Sequence, residues 1–212
     1  MQPLPASFFD RDALDVAYDL VGCVVVCEGV EVRVTEVEAY RFEGAGPTTD
    51  AGVRAGDSAN HARMGRTARN APMWGPPGHL YVYLCYGMHP MLNLVTGQAG
   101  QAAAVLLRAA EPVRGIERVR SRRTGRTPRP DGPWLLDGPG KLARGLGITV
   151  AARGQPLGVS LTVLPRLRTP SLATGPRVGI DYASPEDRAA PWRIADADSA
   201  WVSHRRALSR VP

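Results

Sequence analysis

The stretch CVVVCEGVEVRVTEVEAY at positions 23–40 constrains the fold more than any other part of the chain. Valine dominates it, polar residues alternate with apolar ones, and Glu28-Gly29 interrupts it. Residues 23–27 and 31–40 are therefore expected to form two strands of a hairpin. Cys23 and Cys27 would stand about 13 Å apart along such a strand, too far to bridge. With Cys85 as the third cysteine, the odd count fits a reducing compartment.

Around this hairpin the spacing predicts a helix over 8–22, with Asp10 as cap and Gly22 as stop. Residues 41–79 show little periodicity. A second hairpin is expected from 80–86 and 91–96, with Gly87 to Pro90 at its tip. A buried strand over 102–109 ends in Arg108, and Pro112 opens a helix running through Arg123. Lys141 to Leu146 reads as a helical turn or two, followed by strands at 148–151, 158–164 and near 177–180, then a tail carrying Trp192 and Trp201. At 212 residues the chain has room for one substantial core, so one domain over 1–212 is expected. The resulting class is α+β: a curved antiparallel sheet with helices around it and a protruding hairpin. The longest apolar run, Leu20 to Cys27, has eight residues, and no basic segment followed by a long apolar one opens the chain. A cytoplasmic protein without a membrane partner is expected.

The charge is localised. The chain carries +6, and residues 108–130 hold eight arginines against two glutamates, so this segment accounts for the whole excess. A polyanion is the natural partner, because arginine pairs with phosphates bidentately and displaces condensed counterions. Lys141 is the single lysine. His61, His79, His89 and His204 show no ligand-pair spacing with one another or with the cysteines, so no metal and no cofactor are expected. Gly44-Ala45-Gly46 and Gly138-Pro139-Gly140 lack the strand and helix context of a nucleotide-binding loop.

Alternation places Glu38 and Tyr40 on one side of their strand, a carboxylate beside a ring. Glu36 shares that face, which leaves the choice of carboxylate open. Tyr81, Tyr83 and Tyr86 crowd the second hairpin near the basic segment, and aromatic rings beside positive charge suit a stacked base and its phosphates. Tyr86, before the turn, is poorly placed for burial.

EVEAY at 36–40, NHARMGRTARNAPMWGPPGHLYVYLCYGMHPMLN at 60–93, VLLRAAEP at 105–112 and GPGKL at 138–142 resemble the alkyladenine (3-methyladenine) DNA glycosylase family, in order, from about Leu4 to Ser203. The resemblance implies a monofunctional base-excision repair enzyme that flips a damaged purine from double-stranded DNA and hydrolyses its glycosidic bond, associating with the nucleoid through DNA and acting as a monomer. It assigns Glu38 to water activation, Tyr40 and Tyr83 to the two faces of the extruded base, His61 to base contact and Asn93 to obstruction of normal guanine. Arg108 would lie beside the pocket and backbone, and Tyr86 would be the wedge left in the duplex. Backbone contacts are expected from Arg114, Arg118, Arg122 and Lys141. These roles require a cavity sized for a purine. Residues around 44–56 look like an insertion relative to the family, which leaves the pocket position of His61 open. Three rival readings stand: a catalytically silent nucleic-acid-binding protein, a bifunctional glycosylase/lyase with Lys141 as nucleophile, and a hydrolase of small nucleosides.

Overall fold

The computed structural model describes residues 1–48, 54–123 and 130–211. Two short helices, α1 (Ala6–Phe9) and α2 (Ala13–Leu20), lead into strands β1 (Val24–Cys27) and β2 (Val30–Tyr40), then β3 (Glu43–Thr48) and β4 (Arg54–Gly56). The protruding hairpin, β5 (Leu80–Cys85) and β6 (His89–Val95), precedes a second eleven-residue strand, β7 (Ala104–Arg114). Helices α3 (Ile116–Arg123) and α4 (Pro139–Leu146) follow, then β8 (Thr162–Leu164), β9 (Leu172–Gly175), α5 (Pro185–Ala189), β10 (Arg193–Asp196) and β11 (Ser209–Arg210).

Nine of these strands form one sheet in the order β11-β9-β10-β2-β7-β6-β5, with β1 joining β2 to β8; β3 and β4 make a separate pair. Every pairing is antiparallel, which bears out the expected α+β class. β7 runs along one edge of β2, and the other edge is shared, β1 taking its first half and β10 its second. α2 and α4 lay Val16, Leu20, Leu142 and Leu146 into the apolar core of this sheet. Each such side chain removed from water contributes about 1.5–3 kcal/mol.

A change of parity in β2 decides which residues reach the functional face. Val30, Val32 and Val34 point into the core, and so do Val37 and Ala39. Unbroken alternation from Val34 would have put positions 36, 38 and 40 there instead. The slip is a bulge: Val34 pairs with Ala110 and Glu36 with Ala109, so Thr35 is an extra residue on β2. The next step compensates, because Glu36 pairs with Ala109 and Val37 with Leu107, leaving Arg108 extra on β7. Bulges bend strands and re-aim side chains. Here two adjacent ones turn Glu36, Glu38, Tyr40 and Arg108 to the same side of a curved sheet.

Several expected boundaries move. The helix expected over 8–22 is two helices, because Asp12, not Asp10, caps the second by accepting from Leu14 N at 2.8 Å. Pro112 does not open a helix; it lies within β7 where the register shifts between Glu31 and Val32, the kind of site that tolerates a missing N–H. The chain turns instead at Gly115 (φ 76°), where a Cβ would stand 2.5 Å from the Gly29 carbonyl oxygen. Residues 148–151 are not a strand; Thr149 caps a 3-10 turn over Val150–Ala152. Of 158–164 only Thr162–Leu164 is extended into the sheet, and 177–180 is a connection between β9 and β10. The hairpin tip is Tyr86 to Met88, with His89 and Pro90 already in β6. The irregular 41–79 segment contains the β3–β4 pair, although positions 49–53 of the apparent insertion lie outside the described residues. Cys23, Cys27 and Cys85 are free thiols, and burial raises the first two to a pKa of about 11. Among the described residues, no helix is long and apolar enough to cross a membrane.

Candidate active site

Glu36 and Glu38 are both fully buried, and their surroundings separate their roles. Glu36 Oε1 accepts from Arg108 Nε (2.9 Å), Arg193 Nη1 (3.2 Å) and Ser203 Oγ (2.9 Å), while Oε2 accepts from Ser203 N (2.6 Å). Its carboxylate takes four protein donors, three of them on Oε1. Glu38 Oε1 accepts from Val178 N (2.7 Å) and lies 3.2 Å from Arg108 Nη1; Oε2 takes one hydrogen bond, from the Tyr40 hydroxyl at 3.0 Å. Two carboxylates and two guanidiniums thus alternate through the cluster Glu38, Arg108, Glu36 and Arg193, so the buried charge is balanced. Burial works against the Arg108 charge, but Glu38 and Glu36 outweigh it and hold its pKa above the ordinary arginine value. Oε2 of each carboxylate takes a single hydrogen bond, and the donor is what separates them: the Ser203 backbone N–H for Glu36 and the hydroxyl of the pocket-lining Tyr40 for Glu38, a choice that alternation alone left open.

Tyr40 meets the rings of the second hairpin at a pocket; Glu38, fully buried and bonded to the Tyr40 hydroxyl, is not among its lining residues. His61, Met73, Tyr81, Tyr83 and Asn93 line a pocket with Tyr40. His61 packs edge-on against Tyr83 (centroids 4.4 Å, 77°), and Tyr81 stacks on Tyr83 (5.4 Å, 30°). His61 Nδ1 lies 3.1 Å from the Tyr81 hydroxyl. Burial, followed by the positive charges of Arg69 and Arg63, lowers the His61 pKa to about 4, so its ring is neutral at pH 7. Burial raises the Tyr40 and Tyr83 hydroxyls above the ordinary tyrosine value, and Tyr81 to about 12. Both Asn93 N–H groups go to backbone carbonyls, Tyr81 O at 3.0 Å and Met91 O at 3.3 Å, which fixes its amide.

The irregular segment does deliver His61 to the pocket. Asn60 donates to the Arg41 and Ala102 carbonyls, each at 2.8 Å, and its own Oδ1 accepts from Ala62 N, pinning the chain on both sides of His61. The cavity itself departs from expectation. The space among the rings is about 10 Å³, room for roughly one water and not for a purine. Aromatic side chains bury their faces against one another when nothing else covers them, so the rings must part before a base can enter.

The family described as methylpurine-DNA glycosylase matches residues 7–200. A protein of Nitrosococcus oceani that carries the provisional name 3-methyladenine DNA glycosylase is 50% identical over 97% of this chain and 95% of its own. A DNA-3-methyladenine glycosylase of Arabidopsis thaliana is 45% identical over 96% of this chain and 75% of its own. A provisionally named 3-methyladenine DNA glycosylase of Methanocella arvoryzae is 41% identical over 97% and 98%. The chain is a member of the methylpurine-DNA glycosylase family.

Beside the ring pocket of this glycosylase-family chain runs a larger groove of about 710 Å³ between the hairpin and α4. Arg108, Arg123, Lys141, Arg144, His89 and His204 line it. Lys141 reaches it while pairing with Asp137 at 2.6 Å. Arg114, Arg118 and Arg122 do not line it. Arg118 donates to the Glu28 carbonyl (2.6 Å), and Arg122 binds the Glu28 carboxylate (2.6 Å) and the Gly145 carbonyl (3.1 Å), so both tie α3 to neighbouring turns. Arg114 is exposed, with Glu31 at 3.7 Å. Arg126 and Arg129 lie outside the described residues. Arg108, counted with the basic segment in sequence, is buried. At the tip of the hairpin Tyr86 is 88% exposed and Met88 71%. Tyr86 has φ 50° and Gly87 φ 70°, so a bulky residue is held in the left-handed region. Among the described residues, no three His, Cys, Asp or Glu side chains are grouped to hold a metal.

Sequence reasoning missed Arg123 and Arg144 in the groove, and Arg177, Asp57, Arg193 and Ser203 around the carboxylates. Arg144 stands three residues after Lys141, one helical turn away on the same face, which was a usable signal. The others come together only through long-range pairing and left no local pattern.

Proposed function

We propose that this family member is a base-excision repair hydrolase that removes damaged purines from double-stranded DNA as a monomer in the cytoplasm, reaching the nucleoid through DNA. The observation that carries the reading is the asymmetry of Glu38. One of its oxygens is clamped by Val178 N–H and Arg108, and the other accepts from the hydroxyl of Tyr40, whose ring lines the pocket. In this reading Oε2 accepts a proton from the attacking water as positive charge develops on the sugar, and the buried carboxylate stabilises that charge in a site where water screens little. A cationic alkylated base already leaves well, so the second carboxylic acid of sugar-cleaving enzymes is unnecessary. Glu36, whose carboxylate is held by Arg108, Arg193 and Ser203, does not supply one.

The extruded purine enters between Tyr40 and Tyr83, and its stacking on their faces offsets the opening of the pocket. Neutral His61 offers hydrogen bonds to the base without adding charge. The fixed amide of Asn93 acts as a rigid obstacle to the amino group of normal guanine. Exposed Tyr86 fills the vacated stack, and Lys141, Arg123 and Arg144 in the groove take the backbone phosphates.

Release of free base from methylated duplex DNA, followed by alkali to cut the resulting abasic sites, tests the reading. Base release that is lost in Glu38→Gln is expected, and a protein that binds the duplex but releases nothing would be the silent reader instead. Lys141 is ion-paired with Asp137, so borohydride is expected to trap no covalent adduct; a trapped adduct would establish the lyase. Release from free nucleosides as fast as from duplex would favour the small-nucleoside hydrolase.

A further inference from the structure

Tyr40, Glu38 and His61 come from two separate stretches of chain, and one side chain from a third stretch touches or braces all of them. Arg177 is buried, and its guanidinium carbon lies 4.8 Å from the Tyr40 ring centroid and 4.8 Å from that of Trp192, so the group is packed between the two rings. Asp57 holds it by a fork of two hydrogen bonds (2.6 and 2.9 Å), and it donates further to the Ala39 and Asp187 carbonyls at 3.0 and 3.3 Å. Among the described residues its Nε finds no acceptor, so the group is fixed by its far edge and its two faces. The residue after it, Val178, supplies the N–H that binds Glu38 Oε1 at 2.7 Å. Its partner Asp57 also accepts from Ala59 N (3.0 Å) and Arg41 N (3.3 Å), and the Asp57 carbonyl accepts from Asn60 N (2.9 Å), just before His61.

We propose that Arg177, clamped by Asp57, is the positioning residue of the base pocket: it sets the plane of Tyr40 against an incoming purine and the orientation of the Glu38 carboxylate. The torsion that turns a tyrosine ring is broad, so a ring that must stack on a ligand needs support from its own surroundings. A guanidinium lying against that ring supplies the support through cation–π attraction, and the planar fork matches a carboxylate as an ammonium cannot. The proposal rests on the hydrolase reading above and adds a residue through which the pocket is aligned. It concerns base engagement and chemistry and leaves duplex contact to the hairpin tip and the groove.

The test uses the whole protein and two variants, Arg177→Lys and Asp57→Asn, with two measurements. These are single-turnover release of base from methylated duplex, and affinity for a duplex carrying a tetrahydrofuran abasic analogue, which has no base to stack. Release in natively folded Arg177→Lys is expected to slow by about 10- to 100-fold, the scale of a small misplacement of reacting groups. Affinity for the abasic duplex is expected to stay within about twofold, since no base engages the pocket there. Asp57→Asn, whose amide oxygen can still accept from Ala59 N–H, is expected to show the same pattern, and the double variant to lose no more than the worse single one. Parental release by folded Arg177→Lys, or an equal fall in abasic-duplex affinity, overturns the proposal. Failure of both variants to fold overturns it in favour of a purely structural pair. A parent protein that releases no base overturns the hydrolase reading and this proposal with it, which is a distinguishable result.

Discussion

Arg108 spans Glu36 and Glu38, its Nε 2.9 Å from one carboxylate and its Nη1 3.2 Å from the other. The two acids differ in what else they touch, and so in what their loss does. Glu38→Gln is expected to slow base release by about 10²- to 10⁴-fold, the range of a general base, while lesion-duplex affinity is retained. Glu36→Gln is expected to leave release within about tenfold but to destabilise the fold by about 3 kcal/mol, because Arg108 and Arg193 lose a buried counter-charge. Urea unfolding and single-turnover release on both variants separate the two; the reverse pattern would assign the chemistry to Glu36.

Tyr86 carries a structural cost at the hairpin tip. A bulky residue at φ 50° is strained by about 1 kcal/mol, and its side chain, 88% exposed, makes little return in packing. Tyr86→Gly is therefore expected to raise Tm by about 2–4 °C while weakening lesion-duplex binding, with base release at saturating enzyme less affected. Parental affinity in this variant would remove Tyr86 from DNA contact.

The valine alternation of β1 and β2, the second hairpin and the pairing of Glu38 with Tyr40 were legible because each depends on neighbours in sequence. The choice between Glu36 and Glu38 was not. It depends on Ser203 and Arg193 arriving from the far end of the chain, and on the opposed bulges at Thr35 and Arg108, which shift parity without any residue type to announce them. Charge counting merges the basic segment into one patch because it ignores direction. In space Arg108 turns inward, Arg118 and Arg122 bind turns, and Arg123 joins Lys141 and Arg144 across the groove. Arg177, a charged residue between Pro176 and Val178, resembled a strand end; its partner Asp57 is 120 positions away.

His61 gives the fold a pH dependence whose sign follows from its burial. Its folded pKa, about 4, lies below the ordinary value of 6.5, so between these pH values the unfolded chain binds a proton that the folded chain does not. The contribution is fully present above about pH 6.5 and is lost as pH falls toward 4, to a limit of about 3 kcal/mol. Urea midpoints at pH 7 and pH 5 are expected to differ more for the parent protein than for His61→Gln. An unchanged difference would mean that His61 is charged in the folded state.

The groove and the α3 surface predict different salt responses. If Arg144 neutralises a phosphate, Arg144→Gln lowers duplex affinity and reduces the slope of log K against log salt by about 1, whatever the lesion. Arg118 is occupied by the Glu28 carbonyl, so Arg118→Ala is expected to leave that slope unchanged. It should cost no more than about 1 kcal/mol of stability, since the contact is solvent-exposed and water takes the place of the lost donor. Fluorescence titrations of a labelled duplex at several salt concentrations decide between them. An equal fall in slope for both variants would place the DNA across α3 as well as along the groove, and would return the basic segment to the single footprint that its composition suggests.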